Sequence, residues 1–119
     1  ATFLQIAGLS APDDMQGHSI VPLLRGENPA GWRKSIYYHY YELPGPHHVE
    51  RHYGVRTNRY KLINYYNIDE WELFDLTKDP NELRSLYGHS AYSDVVEDLK
   101  YELNTLRELY RVPETDPDQ

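Results

Sequence analysis

Cysteine is absent from this sequence of 119 residues. Its absence excludes disulfide bonds, cysteine metal ligands and a thiol nucleophile, and it leaves the redox compartment undefined. Long apolar runs are missing as well, because no stretch approaches the roughly 20 residues that a helix needs to span a bilayer. No signal peptide is visible at the start of the chain. We therefore expect no membrane partner.

Positive charge is scarce too. The chain has 12 Lys and Arg against 19 Asp and Glu, a net charge of −7, which argues against a nucleic-acid partner. The imbalance is confined to the second half: residues 1–66 hold seven basic and five acidic side chains, and residues 67–119 hold five and 14. Any anion site is therefore expected in the first half.

Tyrosine is plentiful, with 12 residues against two phenylalanines. Three adjacent pairs, Tyr37-Tyr38, Tyr40-Tyr41 and Tyr65-Tyr66, would present tyrosine to both faces of a strand. An aromatic sheet face left uncovered indicates a partner surface. We favour packing against another domain over a free platform for stacking sugars.

The hydrophobic pattern predicts four strands, over Ser35–Leu43, Arg51–Thr57, Tyr60–Tyr66 and Trp71–Leu76, joined by connections short enough for an antiparallel meander. An apolar stripe at helical spacing predicts a long helix over Ala91–Tyr110. The predicted fold is α+β, a four-stranded antiparallel sheet with one long C-terminal helix packed on one face.

Local signals predict shorter elements. Ala1–Leu9 is typical of the end of an amphipathic helix with Gly8 at its C′ position, so we interpret the chain as a fragment. Ser19–Leu24 indicates a short helix. Asp79 is expected to cap a helical turn, with Pro80 at its first position and Glu82 at its third.

Pro44–Thr57 carries three imidazoles and two guanidiniums within an acidic protein, a composition that suits an anionic ligand. Arg56 and Arg59 are expected to pair with acidic side chains across the sheet. The acidic residues near the fourth strand, Asp69 to Asp75, alternate between the two faces. We therefore expect them to be solvated rather than to bind a metal.

Together with Asn58–Ile63 and Trp71–Leu83, the Pro44–Thr57 segment resembles the C-terminal subdomain of a bacterial sulfatase. The family is that of the formylglycine-dependent arylsulfatases and glycan sulfatases, which have an alkaline-phosphatase-like fold. The resemblance extends to about Tyr110. It implies a connecting segment from a catalytic α/β domain over residues 1–34, the subdomain itself over 35–112 and an acidic tail over 113–119.

The resemblance implies a parent enzyme that hydrolyses sulfate esters of a sulfated sugar such as glucosamine sulfate. Formylglycine and calcium would belong to the catalytic domain, because this chain has no Cys/Ser-x-Pro-x-Arg motif. The chain alone is expected to be inactive and to hold no cofactor or metal. The family also implies a periplasmic or secreted location.

In the resembling sulfatases, the loop between the first two strands reaches over the mouth of the active site and contacts the sugar. Here that loop is Leu43–Glu50, and His47 is the main candidate for a substrate contact. His48, Arg51 and His52 are further candidates. A neutral imidazole can hydrogen-bond a sugar hydroxyl, and a protonated one can stabilise the sulfate. The alternative is that these are exposed loop side chains without a ligand.

Two other functions remain open. His48 and His52, with His39 nearby, could bind zinc, but their spacing needs a helix that Pro44 and Pro46 disfavour. A non-catalytic carbohydrate-binding or domain-packing module would also explain the tyrosine content.

Overall fold

The structure is a computed structural model that describes residues 1–114. The predicted acidic tail lies outside the described residues from position 115 onward. The chain forms two compact units, which divide between Arg33 and Lys34.

The first unit contains two short helices, α1 over Thr2–Ile6 and α2 over Val21–Leu24. Gly8 and Gly26 follow them with positive φ angles of 73° and 77°, which glycine adopts without the steric penalty of a Cβ atom. The predicted C′ position of Gly8 is confirmed, since the Leu9 amide donates back to the carbonyl of Leu4 at 2.8 Å.

The second unit is a single antiparallel sheet followed by a helix. Its strands, β1 to β4, lie side by side in chain order and cover Ser35–Tyr40, His52–Thr57, Tyr60–Tyr65 and Glu70–Asp75. A 3₁₀ turn over Ser90–Tyr92 leads into the long helix, α3, over Ser93–Leu109. This arrangement confirms the predicted α+β fold.

The first strand is shorter than predicted, because β1 ends at Tyr40 rather than at Leu43. Pro44 and Pro46 follow closely and lack the N–H groups that would extend the ladder. Leu43–Pro44 is a cis peptide bond. The chain leaves the sheet at Tyr41 and returns at His52.

The core lies between the sheet and α3. Apolar side chains from the three strands β2 to β4 form one row across the sheet and meet three leucines of the helix. These six buried residues are Val55, Leu62, Leu73, Leu99, Leu103 and Leu106. Removing any of the larger ones would leave a cavity and cost about 2–5 kcal/mol.

Tyrosines lie on both faces of the sheet, as predicted. Tyr37 packs against the core, whereas Tyr38 lies on the opposite face above Gly54. We expected this opposite face to be bare, but Ile63 and Phe74 are buried there. The chain that follows β4 also reaches this face, because Glu82 forms an ion pair there with Lys61.

The segment after β4 differs from its prediction. Asp79 does cap, because its Oδ2 accepts hydrogen bonds from the amides of Leu83 and Arg84 at 2.8 and 2.9 Å. No helix follows, since Glu82 has a left-handed φ of 54°. The Glu82 carboxylate lies 2.5 Å from Nζ of Lys61, on the sheet face that turns away from α3. It forms this ion pair instead of accepting a hydrogen bond from the backbone amide of the capping residue Asp79.

Asp75 is also placed differently from its prediction. It is fully buried rather than solvated, and its carboxylate accepts hydrogen bonds from Nε and Nη2 of Arg59. The predicted acidic partner for Arg59 is thereby confirmed. The pairing lowers the pKa of Asp75 below its usual value of 3.8, chiefly through the hydrogen bonds from Arg59.

Candidate functional site

The candidate site is the loop Leu43–Glu50, which lies within the connection of residues 41–51 between β1 and β2. His47 and His48 lie at its tip, and both are exposed. A turn shapes the tip, because the His48 amide donates to the carbonyl of Gly45 at 3.2 Å. His48 closes this turn in the left-handed region, with φ of 50°, which is uncommon for a residue with a Cβ atom.

Arg51 and His52 lie at the base of the loop, and each donates to a loop carbonyl. Nη2 of Arg51 lies 2.9 Å from the oxygen of Leu43. Nδ1 of His52 lies 2.8 Å from the oxygen of Glu50, so that nitrogen carries the proton. Of the four predicted site residues, the structure therefore places two at the tip and two at the base.

Three tyrosines surround His52 on the sheet face that turns away from α3. The imidazole stacks on Tyr40 with 5.4 Å between ring centroids and 23° between planes. Tyr65 lies 5.2 Å away and Tyr38 5.9 Å away, by the same measure. These contacts fix the orientation of the ring.

His39 belongs to a different cluster on the helix-facing side. Its Nδ1 lies 2.9 Å from the hydroxyl of Tyr37, and its Nε2 lies 3.2 Å from that of Tyr66. Tyr40 pairs with His52 in the ladder, so the neighbouring His39 points to the other face. The sheet thus separates two of the three histidines considered for zinc.

One contact that sequence reasoning missed connects α3 to β2 at Tyr53, the residue after His52. The guanidinium of Arg107 lies 4.5 Å from the ring centre of Tyr53, and its Nη1 donates to the Tyr53 hydroxyl at 3.1 Å. Asn64 donates to the same hydroxyl at 2.8 Å. The spacing of Arg107 on the polar side of the helix gave no indication of this contact.

The face that carries His52 also holds titratable groups with shifted pKa values. Burial raises the pKa of Tyr65 to about 12, with a further contribution from its hydrogen bond to Glu72. Burial also raises the pKa of Tyr38, whose hydroxyl is enclosed without a hydrogen-bond partner among residues 1–114. Both phenols therefore stay protonated at neutral pH.

The described residues do not fit a metal site. Within residues 1–114, no group of three His, Asp or Glu side chains is close enough to hold an ion. The same part of the chain contains no helix long and apolar enough to cross a membrane.

Comparison with known proteins identifies the family. Residues 1–109 match the sequence profile described as "N-sulphoglucosamine sulphohydrolase, C-terminal". The chain belongs to this family, and the resemblance to a sulfatase C-terminal subdomain is confirmed.

Characterised relatives are sulfatases as well. An N-acetylglucosamine-6-O-sulfatase of Bacteroides thetaiotaomicron is 46% identical over 121 residues, which cover 99% of this chain and 21% of that protein. A Delta 4,5-hexuronate-2-O-sulfatase of the same organism is 31% identical over 80% of this chain and 20% of its own length. The chain thus spans about a fifth of the length of these relatives.

A solved structure shows the same fold with a bound sugar. It is described as a complex with its substrate D-glucosamine-2-N,6-O-disulfate, and it matches with a TM-score of 0.92 at 43% identity. The match covers 99% of this chain and 24% of that protein.

Proposed function

We propose that this chain is the C-terminal subdomain of a sulfatase that removes sulfate from a glucosamine-type sugar. Its role is to close the substrate pocket through the loop Leu43–Glu50 and to brace the catalytic domain. The match to the C-terminal sulfohydrolase profile over residues 1–109 carries this proposal. Formylglycine and calcium would belong to the catalytic domain, and a periplasmic or secreted location fits the family.

The geometry of the loop supports the pocket-closing role. His47 is exposed at the tip, where its imidazole can donate to or accept from a sugar hydroxyl. His48 lies beside it and is exposed as well. We infer that His47 is the principal contact with the sugar, that His48 is a further contact, and that Arg51 and His52 are candidates from the base of the loop.

Exposed apolar side chains support the bracing role. In the first unit, four large apolar side chains are each at least 60% exposed: Phe3, Ile6, Leu9 and Leu24. Ile36 on β1 is 48% exposed. Apolar surface of this kind is stabilised when another protein surface covers it. We assign that cover to the catalytic domain of the same protein.

The substrate is tested with the complete enzyme that carries this chain. Release of inorganic sulfate is measured from D-glucosamine 6-O-sulfate and from a Δ4,5-hexuronate 2-O-sulfate. We expect kcat/KM to be at least about tenfold higher for the glucosamine ester, because a pocket built to hydrogen-bond one sugar leaves polar groups unpaired with another. No release from the glucosamine ester, or a preference for the hexuronate, would contradict the proposal.

The second candidate function is a non-catalytic carbohydrate-binding module, which the half-buried rings of Tyr40 and Tyr65, on the sheet face that turns away from α3, favour. Calorimetric titration of the 119-residue chain with D-glucosamine 6-O-sulfate separates the two. A pocket-closing subdomain lacks most of the pocket, so we expect a dissociation constant weaker than about 1 mM. Binding tighter than about 10 μM would favour the module.

A further inference from the structure

The loop Leu43–Glu50 is held at both of its ends by side chains that follow it in sequence. Arg51 donates to the carbonyl of Leu43, the first loop residue, at 2.9 Å. His52 donates to the carbonyl of Glu50, the last loop residue, at 2.8 Å. We call these two hydrogen bonds the loop clamps.

We propose that Arg51 and His52 are positioning residues, whose clamps hold the loop so that His47 meets the sugar in a fixed place. This inference rests on the proposed function of the loop. It gives the two residues a role different from the direct sugar contact expected from the sequence. Nη2 of Arg51 and Nδ1 of His52 each satisfy a carbonyl of the loop backbone.

The clamps are suited to this role because the loop has little internal support. Within residues 43–50, one backbone hydrogen bond is present, from the His48 amide to the Gly45 carbonyl. An eight-residue loop loses considerable conformational entropy when it is ordered, and a loop ordered before binding avoids that cost at the moment of binding. A hydrogen bond from a charged group such as Arg51 can change the population of an ordered loop by roughly tenfold.

The His52 clamp is itself supported by the sheet. The ring stacks on Tyr40, and Tyr65 and Tyr38 bracket it further. Because the tyrosines restrict rotation of the imidazole, its Nδ1–H stays directed at Glu50. The loop is thereby connected to β1, β2 and β3.

The test uses the complete enzyme with two clamp variants. Arg51→Met keeps the aliphatic stem but removes the donors, and His52→Phe keeps a stacking ring without an N–H group. Arg84→Met is the matched control, since Arg84 is exposed and follows β4, away from the loop in sequence. Arg51→Lys restores one charged donor and is expected to recover part of the loss.

Kinetics separate positioning from direct contact. We expect each clamp variant to lower kcat/KM for D-glucosamine 6-O-sulfate by about tenfold, but by less than about twofold when His47 is already alanine. That non-additivity follows if the clamps act through His47. A tenfold loss in both backgrounds would mean direct contact with the sugar and would overturn the inference.

Hydrogen exchange without substrate provides a readout that is independent of activity. We expect the protected His48 amide, followed by mass spectrometry in a peptide covering the loop, to exchange about tenfold faster in the clamp variants and unchanged in Arg84→Met. Unchanged exchange in the clamp variants would overturn the inference. An enzyme inactive on this sugar would contradict the proposed function, whereas faster exchange would still support the clamps.

Discussion

Among the seven glycines, Gly54 on β2 is the position where an added Cβ atom would make the closest contacts. A Cβ atom there would lie 2.4 Å from the carbonyl oxygen of Leu62, 2.6 Å from the hydroxyl of Tyr38 and 2.8 Å from the Cζ of the same ring. All three distances are below ordinary contact. The Leu62 oxygen belongs to the paired strand β3, so it cannot move without disturbing the ladder.

We expect Gly54→Ala to lower the free energy of unfolding by about 2–3 kcal/mol, toward the upper end of the range for overpacked sites. The lower conformational entropy of alanine in the unfolded chain offsets only about 0.5 kcal/mol of this. The assay is urea unfolding of the chain, followed by tryptophan fluorescence. Gly17→Ala is the matched control, because a Cβ atom at Gly17 would meet nothing within 4 Å.

The Gly54 prediction can fail in a clear way. If the unfolding free energies of Gly54→Ala and Gly17→Ala differ by less than about 0.5 kcal/mol, the inferred close packing of Tyr38 over the glycine is wrong. The combined variant Gly54→Ala with Tyr38→Leu should recover only part of the loss, because the contact with Leu62 remains.

Three further predictions concern the polar groups of the sheet. The hydrogen bonds from Arg59 lower the pKa of Asp75, so this carboxylate contributes stability above its unfolded pKa of about 3.8 and loses it as the pH falls through the lower folded value. Asp75→Asn should cost about 2 kcal/mol at neutral pH and flatten the acid limb of a urea-unfolding profile below about pH 4. Tyr38→Phe should not lower the unfolding free energy, since it removes a hydroxyl with no partner among residues 1–114, whereas Tyr65→Phe should cost about 0.5–1 kcal/mol by removing the bond to Glu72. The pKa of Tyr65 is raised to about 12, so its contribution to the free energy of unfolding is complete below about pH 10 and is lost as the pH rises through the folded value. Tyr65→Phe should therefore weaken the dependence of the unfolding free energy on alkaline pH.

The layers of the fold follow from two periodicities in the sequence. The alternation that predicts β2 places Tyr53 and Val55 on one face, and the apolar stripe that predicts α3 places Leu99, Leu103 and Leu106 on another. These patterns reflect burial, which local sequence encodes directly. The core of the structure combines these two faces.

The errors arose where one local pattern competed with a second local signal or with a longer-range contact. The tyrosine run favoured a strand up to Leu43, but the following prolines end the ladder at Tyr40. The Asp79 signal favoured a helix, yet Glu82 pairs with Lys61 and leaves the helical region. The Glu82 outcome cannot be inferred from spacing alone, since it depends on where Lys61 lies on β3.

The candidate site was predictable in position but not in geometry. The resemblance placed His47 on the first loop, and the structure exposes it there. The direction of the Arg51 side chain was not predictable, because it depends on how the loop returns Leu43 to the base of β2.

The measurement that tests the central claim most directly is the effect of His47→Ala in the complete enzyme on two substrates. D-glucosamine 6-O-sulfate presents a sugar to the loop, whereas nitrophenyl sulfate presents only the sulfate and a small ring. We predict that kcat/KM falls at least about tenfold for the sugar and less than about threefold for the aryl ester, with His89→Ala as an exposed control that changes neither. A loss of less than about threefold on the sugar, under about 0.7 kcal/mol, or an equal loss on both substrates, would contradict the role of the loop.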